Sequence, residues 1–147
     1  MSTVGEICSR DLVTVRKQEP LATAARLMFE NHVGCIVVVD DHGGDVFPAG
    51  IVTDRDVAHA CARRTGDFEQ LRVVDAMTKE PVIVRDDEPL ASAIERMEAR
   101  GVRRAPVLDR HGTLVGLLTM DDVLPYLTEQ LRRVGRLVAT QPHLERR

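Results

Sequence analysis

Most of what constrains this chain is that it is written twice. Leu12-Val13-Thr14-Val15 lies over Pro81-Val82-Ile83-Val84 at an offset of 69 residues (12 onto 81). The same offset carries Glu19-Pro20-Leu21-Ala22 onto Glu88-Pro89-Leu90-Ala91, Met28 onto Met97, and Asp40-Asp41-His42-Gly43 onto Asp109-Arg110-His111-Gly112. Past that glycine the offset falls to 66 (50 onto 116), which sets Gly50, Thr53 and Asp56 on Gly116, Thr119 and Asp122. The slip falls in a turn, where changes of length are tolerated. An internal repeat means that one supersecondary unit is used twice and that the copies bury faces against each other. At 147 residues, two such copies form a single compact body or two small halves sharing a core.

Each copy reads β-α-β-β-α. A short strand, Leu12–Arg16 or Val82–Arg85, opens it. A helix follows with proline at its first position (Pro20, Pro89), where the missing N–H has no helical partner to lose. Leu21, Ala24, Ala25 and Met28 form an i, i+3, i+4, i+7 stripe, as do Leu90, Ala93, Ile94 and Met97; both are core faces. An apolar strand comes next (Cys35–Val39, Ala105–Leu108), then an Asp/His/Gly turn and another strand (Ala49–Thr53, Leu114–Thr119). The continuous aliphatic runs suit strands covered on both sides. Val4–Cys8 and Val73–Met77 correspond as short lead-in helices. The expected division is residues 4–64 for the first repeat, 65–72 for a polar linker, 73–131 for the second repeat, and 132–147 for a helix extension and a tail that frays from Gln141. The last helix runs from Asp121 toward Val138 with Val123, Leu124, Leu127, Leu131, Val134, Leu137 and Val138 on one face. That face either meets a partner or packs back across its own chain.

The copies of Gly-x-x-Thr-x-x-Asp carry the chemistry. Thr53 with Asp56, and Thr119 with Asp122, have the spacing of a helix capping box, which is reason enough for them to be there. The same hydroxyl and carboxylate, beside free N–H groups at a helix start, also suit a ligand bearing sugar hydroxyls and phosphates. Composition narrows the ligand and partner classes. Hydrophobic residues are 44%, so a core is available, but aromatics are only 3%, with Tyr126 the single Tyr and no Trp. The core is therefore aliphatic and offers little platform for stacking bases. A net charge of −3 argues against nucleic acid. No apolar run approaches the ~20 residues of a membrane span, and Met1–Arg10 lacks a signal-peptide core, so a cytoplasmic protein is expected. Three cysteines (Cys8, Cys35, Cys61) do not make a disulfide framework. The pairs His32/Cys35 and His59/Cys61 have no CxxC or HxxxH beside them, and no metal is expected.

The repeated unit, its Gly-x-x-Thr-x-x-Asp signature and the stretch Val102-Arg103-Arg104-Ala105-Pro106-Val107 resemble a tandem pair of CBS domains, the module named after cystathionine β-synthase. The resemblance runs from about Val4 to Leu131. It implies an α+β fold of two pseudo-twofold related repeats, with sheets face to face and helices outside. It also implies two clefts between the halves that hold adenosine-containing ligands, whether AMP, ADP, ATP or S-adenosylmethionine, with no cofactor required. By the resemblance, Asp56 with Thr53, and Asp122 with Thr119, hold ribose or phosphate. The base lies against Val13 and Thr14, or Val82 and Ile83, and against Ile36 or Ala105. A carboxylate can accept from both cis hydroxyls of a ribose, and phosphates call for fixed cations, for which Arg55, Arg103 and Arg104 are the candidates. The copies are unequal: Gly34-Cys35 stands where Arg103-Arg104 does, Asp54 where Met120 does, and Val37 where Pro106 does.

The expected function is a regulatory, energy-sensing module that binds an adenosine ligand and signals to a partner protein, and that is not an enzyme. A structural dimerisation module with vestigial pockets is the alternative. A nucleotide-processing enzyme would need a P-loop, a Ser-His-Asp set or a metal cluster, and the sequence contains none of these. A homodimer is expected, through faces after each Thr-x-x-Asp: Val57, Ala60 and Cys61 in one half, Val123, Leu124 and Leu127 in the other.

Overall fold

The computed structural model describes residues 2–63 and 67–144. The expected boundary at residues 64–66 and the end of the expected tail, 145–147, lie outside the described residues. The first copy contributes α1 (Val4–Ile7), β1 (Thr14–Arg16), α2 (Leu21–Asn31), β2 (Cys35–His42), β3 (Asp45–Thr53) and α3 (Asp54–Arg63). The second contributes α4 (Val73–Ala76), β4 (Thr78–Lys79), β5 (Val84–Arg85), α5 (Leu90–Arg100), β6 (Arg104–Leu108), β7 (Leu114–Thr119) and α6 (Met120–Leu144). The β-α-β-β-α order recurs in both. β1 pairs parallel to β2 and β2 antiparallel to β3; in the second copy β5 pairs parallel to β6 and β6 antiparallel to β7. Even the irregularity repeats: the register slips between Val38 and Val39 in β2, and between Val107 and Leu108 in β6.

Three local details refine the ends of the helices. Pro20 and Pro89 stand at the N-caps, one residue ahead of α2 and α5, with extended backbone. Both helices end in a left-handed residue, Gly101 after α5 but His32 after α2. His32 is thus a chain reversal, which glycine would occupy with less strain. The last helix spans Met120–Leu144, 25 residues, or about 37 Å.

The halves are interlocked. Val4 of the first copy lies in the core of the second, with Val84, Leu90, Ala93, Met97, Ala105, Val107, Leu118 and Val123. Reciprocally, Leu71 and Val73 lie in the core of the first, with Val15, Leu21, Ala24, Met28, Ile36, Val38 and Val52. The supposed linker therefore supplies a core residue, Leu71. The backbone bonds follow the same exchange. Val4 N–H donates to Glu88 O, Gly5 N–H to Asp86 O and Leu90 N–H to Ser2 O at 2.8–3.0 Å. In the other half, Val73 N–H donates to Glu19 O, Val74 N–H to Lys17 O and Leu21 N–H to Leu71 O at 2.8–2.9 Å. The opening N–H groups of α2 and α5, which have no partner within their helices, are thus met by the opposite lead-in segment.

The sheets are completed the same way. β4 pairs with β3, Gly50 opposite Lys79 and Ile51 opposite Thr78, and Ser9 bridges to Leu117 of β7. This explains the repeated glycine. A Cβ on Gly50 would lie 2.5 Å from Thr78 O, and one on Gly116 would lie 2.8 Å from Ser9 O and Cys8 Sγ. Only glycine lets the crossing strand approach so closely.

α3 and α6 also depart from the expected dimer faces. Val123 is buried in the second core, and Val57 and Ala60 pack against the first. Cys61, Leu124 and Leu127 are exposed. Beyond them Leu131, Val134, Leu137 and Val138 are 57–72% exposed, so this face does not pack back onto its own chain.

Candidate ligand clefts

Both Thr-x-x-Asp pairs form the capping box that their spacing predicts. Thr53 N–H donates to Asp56 Oδ2 at 2.8 Å, and Asp56 N–H donates to Thr53 Oγ1 at 3.2 Å. In the second copy Asp122 Oδ2 accepts from Thr119 N–H at 3.2 Å and from Thr119 Oγ1 at 2.7 Å, and Asp122 N–H returns a bond to Thr119 Oγ1. Each box uses Oδ2 and leaves Oδ1 outside it.

Among the depressions between the halves, two are equivalent by the repeat. The first, about 230 Å³, is lined by Ser9, Asp11, Leu12 and Val13 ahead of β1, by Val33, Gly34, Cys35 and Val37 around the start of β2, and from the second copy by Arg104, Leu117, Thr119, Asp121 and Asp122. The second, about 350 Å³, is its counterpart: Thr78, Lys79, Glu80, Pro81 and Val82 ahead of β5, Arg100, Val102, Arg103 and Arg104 around the start of β6, and Ile51 and Thr53 from the first copy. Each cleft thus joins the lead-in of one copy to the Thr-x-x-Asp end of the other, because the lead-ins cross.

The expected site residues divide accordingly. Val13, Thr119 and Asp122 come together in the first cleft, and Val82, Thr53 and Arg103 in the second, while Arg104 lines both. Asp56 lines neither; it borders a separate depression with His59, Ala60, Arg63, Leu71, Asp75 and Ala76. Arg55 is exposed on α3 and also borders neither. Ile36 and Ala105 are buried among core residues, at 1% and 0% exposure, and Ile83 is half-buried outside both linings. Thr14 is exposed beside Leu12 and the Val46–Phe47 hairpin instead.

Charged lining residues were missed. Asp11 and Asp121 enter the first cleft; Lys79, Glu80 and Arg100 enter the second. The repeat held a signal for some of them: Arg100, Arg103 and Arg104 stand where the first copy has Asn31, Gly34 and Cys35, and Asp121 stands where it has Arg55. The first cleft consequently carries three carboxylates and Arg104. The second carries four cations and Glu80. Arg104 shares the first cleft with the Cys35 thiol. Burial pushes that thiol's pKa up, and the guanidinium opposes the rise.

Two interlocked copies of one unit, with equivalent clefts between them, define a tandem-repeat α+β pair. The chain belongs to the CBS-domain family, whose profile matches residues 4–63 and 73–129. It is 31% identical to an uncharacterised protein of Methanopyrus kandleri, MK0525, over 85% of this chain and 64% of that protein. It is 29% identical to a homoserine O-acetyltransferase of Methanohalobium evestigatum, over 86% of this chain but 24% of that enzyme. A CBS domain-containing protein of Dictyostelium discoideum, DDB_G0289609, is 31% identical over 89% of this chain and 94% of its own length. The chain thus spans less than two thirds of the first two relatives.

Among solved structures, CBSX2 of Arabidopsis thaliana in complex with AMP is 25% identical, with a TM-score of 0.72 over 88% of this chain and 98% of that one. The CBS domain pair of MJ0100, in complex with 5′-methylthioadenosine and S-adenosyl-L-methionine, has the same fold at 23% identity, with a TM-score of 0.74 over 88% of this chain and 98% of that one. No helix among the described residues is long and apolar enough to cross a membrane.

Proposed function

We propose that this protein is a non-catalytic regulatory module that binds an adenosine-containing ligand between its repeats and passes the bound state to a partner protein. The carrying observation is the Thr119–Asp122 pair, which lines a cleft closed on its other side by Val13, Val33 and Val37 of the opposite copy. Asp122 Oδ1, outside the capping box, can accept from ribose hydroxyls. The apolar residues opposite suit a purine edge, with backbone groups to orient it. The AMP complex of CBSX2, a relative in fold and family, supports this ligand class.

Calorimetry and thermal melting with AMP, ADP, ATP, adenosine and S-adenosylmethionine test the reading. A ligand at ~100 times its dissociation constant adds about 2.7 kcal/mol and raises the melting temperature by several degrees. The competing reading is a structural dimerisation module. It is favoured by the capping boxes, which account for both Thr/Asp pairs without any ligand, and it calls for no binding heat with any of these compounds.

We also propose that the protein is a cytoplasmic homodimer. Leu124, Leu127, Leu131, Val134 and Val138 recur at alternating spacings of three and four along exposed α6, which is the seam of a two-helix contact.

A further inference from the structure

We propose that the two clefts take different ligands: phosphorylated nucleotide enters the Thr53 cleft, an adenosine compound without phosphates enters the Thr119–Asp122 cleft, and Arg104 sets the division. This rests on the adenosine-binding reading above and goes beyond it by assigning ligand charge to each cleft.

The assignment follows from the lining. Arg100, Arg103 and Lys79 are exposed side chains around the Thr53 cleft, with half-buried Arg104 at its inner wall and Glu80 as the one carboxylate among the described lining residues. Three of these cations are absent from the equivalent positions of the first copy, which holds Asn31, Gly34 and Cys35. Guanidinium groups converging on one cleft suit the bidentate, charge-assisted bonds that phosphate oxygens accept. This cleft is also the roomier, at about 350 Å³ against about 230 Å³.

The other cleft is its electrostatic opposite. Asp11, Asp121 and Asp122 line it, and Arg104 is the one cation among its described lining residues. A phosphate there would face three carboxylates. An uncharged ribose would find Asp122 Oδ1 as an acceptor with no like charge to oppose it. This cleft has the complete Thr–Asp pair; the Thr53 cleft has the threonine alone.

Arg104 decides between them because it borders both. In the acidic cleft it lies with Cys35, the residue at the equivalent position of the first copy. A phosphate in the Thr53 cleft offers a stronger acceptor than a neutral thiol sulfur. Turning toward it removes from the acidic cleft the one cation that could have tolerated an anion there. Filling the Thr53 cleft with phosphate therefore sharpens the acidic cleft's preference for an uncharged ligand.

Titration calorimetry on the full chain with ATP and with adenosine tests this. ATP is expected to bind once per chain, and adenosine is expected still to bind once per chain when the protein is saturated with ATP. Arg103→Ala and Arg100→Ala should each weaken ATP about tenfold, with adenosine binding to the ATP-free protein's acidic cleft changed by less than twofold. Asp122→Ala should do the reverse. Added salt should weaken ATP and leave adenosine nearly unaffected. Circular dichroism melts confirm that each variant is folded. Two equivalent ATP sites, or simple competition between ATP and adenosine for one site, would overturn the proposal while leaving adenosine binding intact. Adenosine bound with no ATP binding would overturn it alone. If neither compound binds, the adenosine reading fails and the proposal fails with it.

Discussion

Arg104 and Cys35 occupy equivalent positions in the two repeats and line the same cleft, where the guanidinium opposes the rise in the thiol's pKa. The pair joins the opening residues of β2 and β6, where both clefts begin. A symmetric pair of arginines would repel at this point, and a symmetric pair of cysteines would leave both clefts without the shared cation. The duplication has therefore diverged where its copies meet.

That pairing can be read chemically. Burial raises the Cys35 pKa above the ordinary 9.0, and Arg104 holds it back. In a Cys8→Ser, Cys61→Ser background, Arg104→Ala should move the midpoint of the iodoacetamide rate profile to higher pH. A midpoint that falls instead would mean that the guanidinium does not act on the thiol. The sign for stability follows from linkage. A folded pKa above the unfolded one favours folding fully below about pH 9, and the contribution is lost as pH rises past that value.

Gly50→Ala and Gly116→Ala should each destabilise by about 1–3 kcal/mol, because the new methyl meets Thr78 O at 2.5 Å or Ser9 O at 2.8 Å. Urea denaturation measures the loss. These are backbone atoms of segments paired to β3 and β7 and cannot swing aside, so an unchanged midpoint would contradict the crossing.

Val4→Ala removes two methyl-sized groups from a fully buried site, at a cost of roughly 1.5–3 kcal/mol. Its location is the sharper test. Val4 belongs to the first copy in sequence, but its loss should lower hydrogen-exchange protection in α5 and β6 before α2 and β2. Loss of protection confined to α2 and β2 would rule out the exchange of lead-in segments.

Asp56→Ala and Asp122→Ala each break a capping box and should each lose about 1 kcal/mol of stability. They should part company in binding. Asp122 lines a cleft and Asp56 does not, so adenosine affinity should fall about tenfold or more with the first and hold with the second. Equal losses in folded proteins would show that Asp56 reaches a ligand after all.

Leu131→Glu with Leu137→Glu places two charges on the exposed α6 face. Neither side chain contributes to the described cores, so melting of the monomer should change little. Sedimentation of the unaltered protein at tens of micromolar should give twice the 16.3 kDa chain mass, and the variant should give the chain mass. A wild-type monomer would refute the dimer.

The sequence by itself determined the local structure, because the governing interactions lie within a few residues of one another. The helical stripes from Leu21 to Met28 and from Leu90 to Met97, the aliphatic strands and the Thr-x-x-Asp boxes depend on periodicity and on hydrogen bonds spanning three residues. The repeat then implied a pair. Tertiary structure alone decided which segment completes which core. α1 and α4 are each four residues long, too short for their pattern to name a partner, and each finds its apolar slot in the opposite copy. That exchange puts Val13 with Asp122 rather than with Asp56, and brings Arg104 to both clefts. Cleft charge is a property of side chains from both copies converging in space, and no stretch of sequence contains it. Asp11, Lys79 and Arg100 lie far apart in the chain and line the clefts only because the copies fold against each other.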